Sequence, residues 1–133
     1  MKKIAAVLVL LSMTLFAEVK FTDMFDAYDE AKAQKKLVLV MLSQEGCSGC
    51  EYMKNVVYKN KDVSKYISDN YIAVYLDIYA EPVPEELEHF ATPTYYFLDE
   101  DENILKRING GENAKDFLKS LQSVNESFKA KKH

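Results

Sequence analysis

Tryptophan is absent from the 133 residues, and cysteine, histidine, proline and glycine number only two, two, three and four. Each shortage closes a route. Two cysteines with two residues between them close so small a loop that a bridge would constrain little of the unfolded chain, so the loop-entropy argument for a structural role is weak. A structural zinc site wants four protein ligands, and beyond the cysteines only His89, near a proline-rich stretch, and the terminal His133 could contribute. Basic residues do not exceed acidic ones, at 17 Lys and Arg against 21 Asp and Glu. Nucleic-acid readers concentrate Lys and Arg on one face, so nucleic acid is not expected as a partner. The one basic cluster, Lys129-Ala130-Lys131-Lys132-His133, reads as a solvated helix tail. No apolar run approaches the ~20 residues of a membrane span. Internal repeats and low-complexity segments are missing as well.

The longest apolar run, Ile4 to Leu11, follows Lys2-Lys3 and is followed by Ser12-Met13-Thr14-Leu15-Phe16-Ala17. This order is that of a secretory signal peptide, with cleavage expected after Ala17. Leu15 is larger than the residue preferred at that place, so a retained anchor is the alternative. No cysteine follows the run to take a lipid. Removal of residues 1–17 leaves residues 18–133 as one domain with a single core, carrying 15 basic and 21 acidic residues.

Both cysteines stand in Cys47-Ser48-Gly49-Cys50. The pair follows the apolar run Leu37 to Leu42 and opens a helix-forming stretch, so it sits where a strand gives way to a helix. Unpartnered N–H groups at a helix start favour an anion, and the thiolate is the reacting form of cysteine. In an oxidising compartment both the dithiol and the disulfide are accessible.

Along the chain, Phe21, Phe25, Tyr28 and Ala31 predict a helical face over Phe21–Gln34, capped by Thr22 or Asp23. Leu37–Leu42 is uniformly apolar, as in a strand covered on both sides. Glu51–Tyr58 continues as helix with Met53, Val56 and Val57 buried, and Asp62–Asp69 forms another, capped at Asn60 or Asp62. Tyr71–Asp77 is rich in β-branched and aromatic residues and predicts a parallel strand after a crossover. Glu81-Pro82-Val83-Pro84 breaks the pattern, and Glu85–Phe90 is expected as a short helix. Thr94–Leu98 and Ile104–Ile108 form a hairpin around the acidic turn 99–103, Gly110-Gly111 ends it, and Asn113–Lys129 is the last helix. The sum is an α/β domain, a central mixed sheet of about four strands with helices on both faces.

A strand leading into Cys-x-x-Cys, a crossover strand, Thr92-Pro93 forty-three residues beyond Cys50 and a closing hairpin and helix resemble the thioredoxin-like family. The similarity runs from about Phe21 to Val124. It implies that Cys47 is the exposed nucleophile, Cys50 the shielded resolving thiol and Pro93 a cis proline facing them, with the Thr92 backbone offered to an extended substrate. Cys47, Cys50 and Met53 match the Cys-x-x-Cys-x-x-Met of small exported members, which carry electrons from a membrane-bound thiol reductase to periplasmic proteins with disulfides. The 42 residues between Cys50 and Pro93 leave no room for the helical insertion of periplasmic disulfide-forming oxidases.

The chain also departs from the family pattern. Gly46 replaces the usual Trp, Met41 stands where a buried Asp is expected and Ala73 where its Lys partner is. Glu45 is the candidate substitute proton carrier, with Glu51 a weaker one. Ser48-Gly49 adds no positive charge, which points to a middling or reducing potential. The expectation is an exported, monomeric, periplasmic thiol–disulfide oxidoreductase without cofactor or metal. Its alternative is a non-catalytic binding module of the same fold, such as a metallochaperone or assembly partner.

Overall fold

The computed structural model describes residues 18–132; the signal-peptide expectation for residues 1–17, and His133, fall outside them. Leu37–Ser43 forms β1, every residue of it buried. On one side it pairs in parallel with β2, Tyr71–Asp77, and on the other antiparallel with β3, Thr94–Leu98. Antiparallel β4, Ile104–Asn109, completes the order β2-β1-β3-β4. The mixed four-stranded sheet is the one the sequence predicts.

Alternation along β1 divides the interior. Leu37, Leu39 and Met41 face one core with Tyr95, Phe97, Phe117 and Leu121, while Val38, Val40 and Leu42 face the other with Ala27, Ala31, Leu87 and Leu98. The first core is roofed by α2 (Ser48–Tyr52), α3 (Lys61–Asn70) and α4 (Ala114–Lys131). Helix α1 (Met24–Gln34) contributes Ala27 and Ala31 to the second core. Helices therefore cover both faces. Among the described residues no helix is long and apolar enough to cross a membrane.

Caps set the helix boundaries. Asn60 accepts N–H bonds from Asp62 and Val63, and Asn113 accepts one from Asp116, so α3 and α4 begin where a side-chain acceptor is available. The Asp23 carboxylate likewise accepts the Phe25 N–H at 2.9 Å, which starts α1 three residues later than the expected Phe21. Phe21 instead bridges to Ala73, with the Thr22 N–H donating to the Ala73 carbonyl at 2.8 Å. The expected apolar face shifts accordingly: Phe25 is 86% exposed, and Ala27 joins Ala31 inside.

Two further expectations are corrected. The segment after α2, Met53–Val57, winds as a π-turn, which changes the angular step and turns Val56 outward while Met53 and Val57 stay buried. Glu85–Phe90 forms no helix; one Leu87 N–H to Pro84 carbonyl bond closes a single turn, Leu87 alone is buried and Phe90 is 91% exposed. The 78–92 segment thus crosses the second core as an irregular, turn-containing connection held by Leu87 and by the Tyr96 hydroxyl, which donates to the Glu88 carbonyl.

Candidate active site at the dithiol

The apolar β1 ends at Ser43, and a turn through Gly46, at φ +78°, reverses the chain into α2. A left-handed backbone there suits glycine, so the residue standing in place of the family's Trp also makes the turn. Cys47 is the N-cap: the Cys50 N–H points at its Sγ at 3.1 Å, and the Glu51 N–H bonds its carbonyl at 3.1 Å. An N–H aimed at sulfur is the local interaction that favours a thiolate over a thiol. Cys47 and Cys50 are joined as a disulfide with Cα atoms 5.2 Å apart. Cys50 is 2% exposed whereas Cys47 is partly open. Cys47 is therefore the more accessible sulfur of the pair.

The Thr92–Pro93 bond is cis, and it brings the Thr92 carbonyl to 3.5 Å from Cys47 Sγ. Among the described residues, neither the N–H nor the C=O of Thr92 bonds to another backbone group. Pro93 is fixed from behind by the Gly110 N–H, which donates to its carbonyl at 2.8 Å. From the front it meets Gly49, where an added Cβ would stand 3.2 Å from Pro93 Cδ. Residues 45 apart in sequence thus form one surface.

Behind the dithiol, Met53 is fully buried and its Sδ receives the Glu112 N–H at 3.4 Å. An added Cβ on Gly111 would meet that sulfur at 3.4 Å and the Gly49 carbonyl at 3.9 Å. The Gly110-Gly111 pair, which the sequence presents as punctuation after a hairpin, is a bracket between Pro93 and the dithiol helix. Close approach was the missed signal: adjacent glycines can mark a place where two backbones meet.

Met41 lies fully buried on β1, paired with Tyr95, and its Sδ accepts the Tyr95 hydroxyl at 3.2 Å. Tyr58, also in this core, stacks at an edge on Tyr95 with ring centroids 6.3 Å apart. Burial pushes both phenols far above the ordinary tyrosine value, so at neutral pH they are fixed as protonated groups. A thioether and two neutral phenols thus occupy the region where a carboxylate–ammonium pair was missing from the sequence. Glu45 is exposed in the turn before Cys47, and exposed Glu51 accepts the Asn55 side-chain amide at 2.8 Å. His89 lies in the loop, its Nδ1 3.1 Å from the Leu87 carbonyl. Among the described residues no group of three or more His, Cys, Asp or Glu is placed to hold a metal ion.

Residues 24–125 match the family described as thioredoxin-like domain. A thioredoxin from Thermus thermophilus superposes with a TM-score of 0.71 at 24% identity, covering 80% of this chain and 87% of that one. An oxidoreductase, DsbH, gives 0.67 at 16% identity over 83% and 86%. The periplasmic thioredoxin SoxS from Paracoccus pantotrophus gives 0.55 at 20% identity over 68% and 97%. A curated relative, an uncharacterized protein from Archaeoglobus fulgidus, is 30% identical over 81 residues, 58% of this chain and 64% of that protein's length. The chain belongs to the thioredoxin-like domain family, and Cys47 and Cys50 are its dithiol, the couple on which thiol–disulfide exchange runs.

Proposed function

We propose that the protein is an exported thiol–disulfide oxidoreductase that reduces disulfides of periplasmic proteins and is recharged by a membrane-bound thiol reductase. The observation that carries this reading is the placement of Cys47 Sγ, with the Cys50 N–H at 3.1 Å on one side and the Thr92 carbonyl at 3.5 Å on the other. In the reduced protein the Cys47 thiolate attacks one sulfur of a client disulfide. A Cys47–client bond forms and the other client sulfur leaves as a thiolate. Cys50, deprotonated, then attacks Cys47 Sγ, closes the Cys47–Cys50 disulfide and expels the second client thiolate. Two electrons pass to the client, both of its thiolates take up protons, and the donor's dithiol restores Cys47 and Cys50. The N–H and C=O of Thr92, unpaired with other backbone groups, pair with the extended client segment during attack. Glu45, exposed two residues before Cys47, is the candidate carboxylate to relay a proton.

Turnover of a protein disulfide such as insulin, measured with a chemical reductant, tests this. Wild type accelerates the reaction, and Cys47→Ser returns it to the uncatalysed rate; equal rates for the two proteins would overturn the proposal and leave the binding-module alternative. Fractionation of cells making the full chain tests export: recovery in the periplasm is expected, and retention in the cytoplasm would contradict it.

A further inference from the structure

The loop 78–92 begins at the end of β1 that leads into the dithiol turn and ends against Cys47. The Ile78 N–H donates to the carbonyl of Ser43, the last residue of β1 before the turn to Cys47, at 2.9 Å. The far end delivers Thr92 to within 3.5 Å of Cys47 Sγ. Close to those two ends the loop leaves two aromatic rings in water, Tyr79 at 83% and Phe90 at 91% exposure. Elsewhere the same loop buries Leu87 and engages Tyr96, so it has a fixed inner side and a bare outer one. Tyr79 and Phe90 are thus two nearly naked aromatics on the loop that delivers Thr92 to Cys47, Phe90 only two residues before Thr92.

The charge around them has one sign. From Asp77 to Thr92 there are five Asp and Glu and no Lys or Arg, and from Leu37 to Met53 the charged residues are Glu45 and Glu51. Asp77 and Glu81 lock the start of the loop, the Asp77 carboxylate accepting the Tyr79 N–H at 2.9 Å and the Glu81 carboxylate accepting the Asp77 N–H at 2.9 Å. Both carboxylates are thereby held in place at the start of the loop. Glu88 is exposed two residues before Phe90. Lys54, the first cation after Cys50, lies over the Tyr75 ring at 4.9 Å. A cleft edged by one sign of charge raises the local concentration of the opposite sign and speeds its encounter, an effect of 10–10³-fold in general.

We infer that this end selects client disulfides set in a cationic, extended polypeptide segment, with Lys or Arg near the client cysteine facing Glu81, Glu88 and Glu45, and an apolar client side chain covering Phe90. The inference rests on the exchange reaction proposed above and adds the chemistry of its substrate. An acidic segment would meet repulsion at the same carboxylates, so the preference works by exclusion as well as attraction.

Three peptides test it, identical except that the residues flanking a disulfide-bonded cysteine are Lys, Ser or Glu, with a small uncharged disulfide as reference. Their second-order rates with the reduced protein are measured at an ionic strength near 0.01 M, where the screening length is about 30 Å, and near 1 M, where it is about 3 Å. At low salt the Lys peptide reacts on the order of tenfold faster than the Ser peptide and the Glu peptide slowest, and the spread collapses at high salt. Glu81→Lys with Glu88→Lys narrows or reverses the order, and Phe90→Ser slows the Lys peptide several-fold. Equal rates for the three peptides, or a faster Glu peptide, would overturn the inference while brisk reaction with the small disulfide kept the exchange reading. No reaction with the small disulfide would overturn both.

Discussion

Gly49, between the two cysteines, packs directly on Pro93: the position a Cβ would take at residue 49 is 3.2 Å from Pro93 Cδ. This contact joins the dithiol turn to the residue that follows Thr92. Gly49→Ala forces one of the two to give way, and overpacking of this kind costs about 1–3 kcal/mol. The expected outcome is a lower unfolding midpoint in urea together with slower reduction of a protein disulfide. Gly46→Ala, where an added Cβ would meet nothing within 4 Å but φ is +78°, destabilises through the backbone alone. A Gly49→Ala protein as stable and as fast as wild type would contradict the packing argument.

Far from the dithiol, Asn125 ties α4 to α3. Its buried amide donates to the Tyr66 hydroxyl at 3.0 Å and to Asn70 Oδ1 at 3.1 Å. Asn125→Ala removes both bonds and leaves polar atoms of α3 without their partner, a loss of roughly 1–3 kcal/mol. Chemical denaturation should show that loss, while the rate of Cys47 with a small disulfide stays at the wild-type value.

Alkaline titration has a defined direction. Tyr28 is pushed up to about 12 by burial first and then by Glu102, Glu86 and Asp99, whose charges oppose a tyrosinate. Its folded value lies above the unfolded value of about 10, so its stabilising effect is complete below pH 10 and is lost as pH rises through about 12. Tyr58, Tyr71 and Tyr95, raised further by burial, act in the same sense. Unfolding measured from pH 8 upward should be level to about pH 10 and then fall, and Tyr28→Phe should remove part of the fall. Stability that rose above pH 10 would contradict the burial of these phenols.

The sheet was legible because its strands are short runs of one character. Leu37–Leu42 had no polar residue to place on a wet face, and Tyr71–Asp77 and Thr94–Leu98 carry the aromatic and β-branched residues a pleated surface takes. The dithiol and the Thr92-Pro93 pair were legible through resemblance, since spacing alone does not bring residues 45 apart together. Positions governed by local hydrogen bonds were less so. Periodicity placed Phe25 and Val56 inside, but the Asp23 cap and the π-turn at Met53–Val57 decide the phase of those helices. The Met53–Glu112 and Gly111–Gly49 contacts depend on two distant segments closing on each other, and no local pattern announces them.

The division of labour between the two cysteines is the centre of the account, and trapping the intermediate measures it most directly. Cys50→Ala removes the group that releases the client and leaves Cys47 able to attack. Incubated in reduced form with a disulfide-bonded protein, it should accumulate a one-to-one adduct that mass spectrometry assigns to Cys47 and that dithiothreitol releases. Cys47→Ala, which keeps only the buried Cys50, should accumulate none. An adduct of equal yield in both variants, or in neither, would contradict the assignment of Cys47 as nucleophile and Cys50 as resolving thiol.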